Sequence, residues 1–459
     1  MKEISIKKIL EITKGKLLKG NEDNSFRCIR LDSRLVESGD TFFCLKGEES
    51  DGHLYIPQAL KSGAKSFVIS NEEYISSFDE FDVDVVLVKD ALISLQDISS
   101  YYLSLMPIKK VVAVTGSVGK TTTRDMVKCV LSAKYRTACT IKNYNTPTGI
   151  PLSIFEFPLD TEACVIEMGL LFDTTEEALS RFVRPDIGII TNIGVSHIER
   201  FPNDGRMGIL NSKMGVAHFF NKDSHLVLNR DNDLLKTVDS KDKYNLVEVG
   251  CNDSFEFEIK NVLDKGEDGI SYSLIYTGKE YTVNVPVLGA HNAMNSALSI
   301  AAGVKAGIKI EEAIHMISTF ELPDNRLSVR NKGSIRIIDD CYNAAPESMK
   351  SAINTLMSLK GNGRRIAFLG DMFELGSENE ESHREIGRFL KEQNLDLVIT
   401  IGENSKFISY EYQKDIHFEN VYDAITYVEK ELSIKDNDVI LVKASNGMHL
   451  NKIVDVLLK

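Results

Sequence analysis

The chain has 459 residues, 43% of them hydrophobic and 26% charged, with a net charge of −13. That length exceeds a single core and fits about three domains of ~150 residues each. The composition excludes a disordered or fibrous chain, no stretch approaches the ~18 apolar residues of a membrane-spanning helix, and the acidic balance without a basic tract excludes a nucleic-acid partner.

The opening MKEISIKKILEITKG has apolar residues at helical spacing and no small-residue cleavage site after it, which predicts a helix and no export signal. Seven cysteines, odd in number and without a C-x-x-C pair, read as reduced thiols of a cytoplasmic protein. Residues 1–86 alternate short strands with polar turns and one helix, a small α/β unit. Asp32, Ser33 and Arg34, read alone, are turn and cap residues there.

After the strand DVVLVKD and the helix ALISLQDISSYYLSL comes VVAVTGSVGKTTTRDMVKCV, read as a buried strand, a glycine turn and the start of a helix. Gly116, Ser117, Val118, Gly119, Lys120, Thr121 and Thr122 form a shortened phosphate-binding loop. Backbone N–H groups and the helix N-terminus suit a polyphosphate, Lys120 adds a cation and Thr121 offers a hydroxyl to Mg²⁺. The alternative is an ordinary glycine turn.

Strand and helix then alternate to about residue 318, with strands expected at 111–115, 163–167, 187–191 and 225–228, as a parallel sheet requires. Ligands lie at the carboxyl ends of such strands, so Glu167 and the loop from Asn192 to His197 are expected to converge on the phosphate loop; a strand-terminal Glu is otherwise a solvated residue. Residues 251–284 read as antiparallel strands, and LGAHNAMNSALSIAAGVKAG as a small-residue helix suited to close packing. From Leu322 onward SIRIIDD, RIAFLGD, LVITIG and VILVKAS, separated by helices around 347–359, 381–393 and 421–433, predict a second open parallel sheet of Rossmann type.

VTGSVGKTTT, NYNTPTGIP, EMG, TNIGVSHIERF, LNRDND, LGAHNAMNSALSIAAG, RLSVR, IIDDCYNAAPESM and LGDMFELG follow one another in an order that resembles the Mur ligases from about Asp32 to the C-terminus. The resemblance implies an α/β protein of three domains: a UDP-substrate-binding unit at 1–86, a central P-loop ATPase at 87–318 and a Rossmann-like domain at 319–459. It also implies a cytoplasmic, monomeric, ATP- and Mg²⁺-dependent amide ligase. Its substrates would be a UDP-linked muramoyl tripeptide and D-alanyl-D-alanine, joined through an acyl phosphate. A relative with another acyl and amine pair, or a nucleotide-binding scaffold, are the alternatives.

By the same resemblance Lys120, Glu167, His197 and Lys213 are catalytic, and Thr121, Glu167, His197 and Lys213, the last as a carbamate, are metal ligands. Asn292, Asn295, Arg326 and Asp340 join the phosphate loop around ATP. Asp32, Ser33, Arg34, Asn145, Tyr342, Asn343, Lys443 and Ser445 contact substrate. On periodicity alone Asn292 and Asn295 would equally face solvent, and the alternative for Lys213 is a surface helix lysine. The chain departs from the family pattern at Thr146, Thr175, Gly215, Ala345 and Asn446.

Overall fold

The structure is a computed structural model that describes residues 1–47, 50–141, 143–169, 175–240, 242–322 and 328–459, with Ser328 described by its backbone alone. The chain divides into two compact units. One comprises Met1–Val111, Tyr135–Thr174 and Ala178–Pro185, the other Val112–Lys134, Thr175–Glu177 and Asp186–Lys459.

In the first unit the opening helix runs over Ile6–Thr13, capped by the Ser5 hydroxyl, which accepts from the Lys8 amide. A five-stranded sheet follows in the order Lys16–Lys19, Asp84–Leu87, Ser66–Ile69, Thr41–Phe43 and Ile29–Arg30, parallel except for its first pair. Phe42, Phe67, Phe78 and Val85 fill one face of it. The helix Ala91–Ser104 begins at Asp90, whose carboxylate accepts from the Ile93 amide. The strands Ala163–Glu167 and Thr137–Cys139 pair in parallel in this unit.

The second unit holds two sheets. In the first, the order is Lys279–Val285, Ile270–Tyr276, Phe257–Asp264, Asn245–Gly250, His225–Asn229, Ile187–Ile190 and Lys110–Thr115. The last four are parallel, and unbroken apolar runs such as Val111–Val114 are what a strand buried on both faces requires. The segment read as antiparallel strands extends this sheet at its edge: Phe257–Asp264 pairs in parallel with Asn245–Gly250, and only the next two pairings are antiparallel.

The second sheet has the order Ser328–Lys332, Ile335–Asp340, Val439–Lys443, Arg365–Gly370, Leu397–Ile401 and Ile416–Phe418. All its pairings are parallel except the first. Its faces are covered by Met349, Ile353, Leu356, Ile386 and Leu390 on one side and by Ala424, Val428, Ile453 and Val454 on the other. This is the doubly wound arrangement expected, with two unanticipated edge strands and the additional helices Lys406–Tyr412 and Asn451–Leu458. All seven cysteines are free thiols, and among the described residues no helix is long and apolar enough to cross a membrane.

Candidate active site

The strand Lys110–Thr115 ends in the loop Gly116–Gly119, and the helix Lys120–Leu131 starts directly after it. Gly119 caps that helix at φ 81°, a left-handed backbone that L side chains resist, and a Cβ there would stand 2.9 Å from Asn295 Oδ1. The neighbouring strand end clasps the loop from the side. Thr191 Oγ1 donates to the Val118 carbonyl (2.6 Å), Asn192 Oδ1 accepts from the amides of Ser117 (3.1 Å) and Val118 (2.9 Å), and the Gly194 amide donates to Ser117 Oγ (2.9 Å).

With Ser117 and Val118 engaged this way, the positive end of the helix dipole at Lys120–Thr122 is the part of the loop aimed at an anion. Lys120 Nζ curls over the loop and donates to the carbonyls of Gly116 (2.8 Å) and Ser117 (3.1 Å). Thr121 is buried and Thr122 half-buried at the helix start.

Asn292 and Asn295 do not face solvent. Both are buried in the helix Asn292–Lys305: Asn295 Nδ2 donates to Asn292 Oδ1 (2.8 Å), and Asn292 Nδ2 donates to the Leu288 carbonyl (2.7 Å). This chain of amides ends against Gly119.

Lys213 is not a surface residue either. It is 1% exposed, with Nζ 3.4 Å from Oε1 of Glu176, itself 0% exposed, and 3.5 Å from Thr115 Oγ1. Thr115 Oγ1 and Ser212 Oγ also donate to the Glu176 carboxylate, at 3.0 and 2.8 Å. Burial pushes the Lys213 ammonium below its ordinary pKa, while Glu176 opposes that shift. The departure at Gly215 has its reason here. A Cβ on Gly215 would collide with the Glu177 backbone, so the acid beside Lys213 comes from Glu176 on a separate segment.

His197 has a left-handed backbone (φ 65°), and its Nδ1 forms an ion-pair contact with Glu374, which is also left-handed (φ 64°). Burial lowers the imidazole pKa, Glu374 opposes the shift, and Lys120 and Arg200 add to it. The contact with His197 holds the Glu374 carboxyl below the usual range.

In the second sheet of this unit, Asp340 and the buried Lys443 pair at 2.6 Å, and Lys443 Nζ also donates to the Asn343 carbonyl (2.8 Å). Tyr342 and Asn343 are exposed beside them, while Ser445 is buried and its Oγ accepts from the Phe373 amide (2.9 Å). Ala345 caps the helix Pro346–Ser358 through its own amide, which donates to Ser348 Oγ (3.0 Å). Arg326 lies outside the described residues.

In the first unit, Asn145 Nδ2 donates to Oε1 of the buried Glu167 (2.9 Å). Thr146 Oγ1 accepts from the Gly149 amide (2.9 Å), which gives that departure a capping role at the helix Gly149–Phe155. Asp32 caps the one-turn helix Ser33–Leu35, pairs with Arg34 at 2.6 Å and is drawn down to a pKa of about 2, chiefly by that side chain. Ser33 Oγ donates to Gln58 Oε1 (2.9 Å).

Two residues around these groups carried no site expectation: Glu176 and Glu374. Glu374 sits inside a motif quoted from the sequence, and an acid at a tight βα connection is a signal in itself. Glu176 follows Thr175, one of the departures from the family pattern, and opens the helix Glu176–Val183.

Three stretches of the chain match family descriptions: residues 25–106 the Mur ligase family catalytic domain, 114–303 the Mur ligase middle domain, and 325–446 the Mur ligase glutamate ligase domain. The chain is 35% identical, over 99% of its length and 98% of the relative's, to the UDP-N-acetylmuramoyl-tripeptide–D-alanyl-D-alanine ligase of Bacillus subtilis strain 168. In fold it is similar to a crystal structure of MurF from Acinetobacter baumannii, with a TM-score of 0.90 at 24% identity and 100% of both chains covered. It is also similar to MurF ligase from Thermotoga maritima in complex with ADP, with a TM-score of 0.81 at 26% identity, covering 94% of this chain and 97% of the other.

Proposed function

The chain belongs to the Mur ligase family, and from that premise we propose that it joins D-alanyl-D-alanine to UDP-N-acetylmuramoyl-tripeptide with hydrolysis of ATP to ADP and phosphate, in peptidoglycan precursor synthesis. The observation that carries the reading is the likeness to such a ligase along nearly the whole chain, together with a phosphate loop clasped from the neighbouring strand end. We read the domains as 1–86, 87–318 and 319–459, and the protein as a cytoplasmic monomer.

The reaction moves the terminal phosphoryl group of ATP onto the tripeptide carboxylate. The D-alanyl-D-alanine amine then attacks the acyl carbon, phosphate leaves and an amide remains. Both partners of the first step are anions, so positive charge must be gathered before they meet. Lys120 supplies one cation from the loop it already covers. Asn145 holds one oxygen of Glu167, fixing that carboxylate's direction.

Thr121 and Glu167 are hard oxygen donors that fit Mg²⁺, an ion usually held by one or two carboxylates plus substrate phosphates, and among the described residues no cluster of three acidic, His or Cys groups forms a ready-made cage. When bound with ATP, Mg²⁺ supplies the remaining positive charge. His197 is the candidate nitrogen donor for a second ion. Lys213 is the candidate carbamate: its burial favours the neutral amine that reacts with CO₂. Asn292, Asn295, Arg326 and Asp340 are assigned to the nucleotide, Tyr342 and Asn343 to the amine substrate, Lys443 and Ser445 to substrate contact, and Asp32, Ser33 and Arg34 to the UDP end.

The test is phosphate release in the presence of ATP, Mg²⁺ and the two substrates, supplied singly and together. Release that requires both supports the ligase; release from ATP alone, or none at all, overturns it. In the same assay Lys120→Ala is expected to lower turnover by about 10²- to 10³-fold, the usual loss for a charge-stabilising group. A wild-type rate would remove Lys120 from the mechanism.

A further inference from the structure

The connection Asp371–Gly376, which follows the strand Arg365–Gly370, is tied down at almost every residue. The buried Asp371 carboxylate accepts from the amides of Ser405 (2.7 Å) and Asn404 (3.1 Å), and its carbonyl accepts from the Ser445 amide (3.0 Å). The Met372 amide donates to Nε2 of the fully buried His383 (3.1 Å), whose Nδ1 lies 2.7 Å from the Asn379 carbonyl. The Phe373 amide donates to Ser445 Oγ, and Leu375 is buried in the apolar core.

The residue held between these anchors is Glu374, in a left-handed conformation that a side chain keeps only when its surroundings over-determine it. Its carboxylate reaches His197, likewise left-handed, on the loop that clasps the phosphate-binding turn. Lys120 and Arg200 lie close enough to act electrostatically on both residues. Two strained residues from two sheets of the same unit thus meet side chain to side chain. A surface ion pair would need neither the strain nor the four-point anchoring.

We propose that Glu374 is a positioning residue: it keeps the His197 proton on Nδ1 and the ring in one orientation, so that Nε2 is presented as a lone pair. A carboxylate behind a functional histidine fixes tautomer and direction in this way. The kinetic consequence rests on the ligase reading above; the orientation of the ring does not.

The experiment uses the full chain with Glu374→Gln and Glu374→Asp. Gln keeps the length and loses the charge, and Asp keeps the charge on a shorter arm. Glu374→Gln is expected to lower kcat by about 10- to 100-fold, as losses of such partners do, with the KM for ATP changed by less than about threefold because the phosphate loop is untouched. Glu374→Asp is expected to recover part of kcat.

Nitrogen-15 histidine spectra, with His197 identified by its absence in His197→Gln, are expected to show the Nδ1-protonated form in the wild type and a mixture of tautomers in Glu374→Gln. A wild-type kcat, or an imidazole spectrum unchanged by Glu374→Gln, overturns the proposal and leaves an ion pair that only docks two surfaces. Should the wild-type protein prove unable to ligate, the ligase reading fails while the nitrogen spectrum still decides the role of Glu374.

Discussion

Lys213 shows how a single side chain was half legible. In GRMGILNSKM it follows Ile209 by four residues and Leu210 by three, so helical periodicity already puts it on the apolar face, where a lysine needs a partner. The partner, Glu176, opens a different helix, Glu176–Val183, and pairing across 37 residues is a tertiary fact. Removing the ammonium leaves Glu176 buried without its cation. Lys213→Ala is therefore expected to destabilise the fold by about 3–5 kcal/mol, measured by urea unfolding. Adding Glu176→Gln is expected to return part of that loss. If Lys213 also serves as a carbamate, a small carboxylic acid such as propionate is expected to raise the residual turnover of Lys213→Ala at least about tenfold, within the range outer ligands of metal sites command. Stability that stays at the wild-type level would show that the pair is not coupled. Full activity without any added acid would remove the carbamate.

At the scale of elements, the parallel strands were legible because burial on both faces leaves unbroken apolar runs: Val111–Val114, Ile187–Ile190 and Val439–Val442 announce themselves. The edges were not. Ser328–Lys332 is a polar alternation with little to bury, and Ile416–Phe418 is too short to show a period. The helix pair beneath the phosphate loop was legible as two helices but not as one device. Ser299 Oγ reaches the Thr123 carbonyl (3.4 Å), and Asn295 fills the space a Cβ on Gly119 would need. Gly119→Ala brings a left-handed strain of about 1–2 kcal/mol and displaces Asn295 as well. We expect a lower thermal midpoint and weaker ATP binding by calorimetry. Asn295→Ala in the same chain is expected to relieve the steric part and leave the backbone part. An affinity unchanged in Gly119→Ala would show that the loop tolerates a side chain where the structure has no room for one.

At the scale of the whole molecule, the order of motifs was enough to read three domains, since several motifs end strands at which a ligand can sit. What the sequence did not contain was the bond pattern by which the two sheets of the second unit meet. That pattern is mostly charged: Arg336 with Glu267, Lys360 with Asp268 at 2.6 Å, and His197 with Glu374. The apolar contribution is small, Leu288 and Val195 lying against the core that contains Met349 and Leu369. Contacts of this kind between domains permit motion, and exposed ion pairs contribute up to about 1 kcal/mol each. Raising NaCl from about 0.1 M to about 1 M shortens the screening length from about 10 Å to about 3 Å. Amide exchange at 193–200 and 371–376 is expected to quicken several-fold under that change, while the buried amides of Val112–Thr115 keep their protection. A non-hydrolysable ATP analogue is expected to reverse the effect if the nucleotide is gripped by groups from both sheets, since a ligand stabilises only the arrangement that binds it. Exchange indifferent to salt would mean that Val195 and Leu288 hold the two sheets together and that the charged pairs merely accompany them.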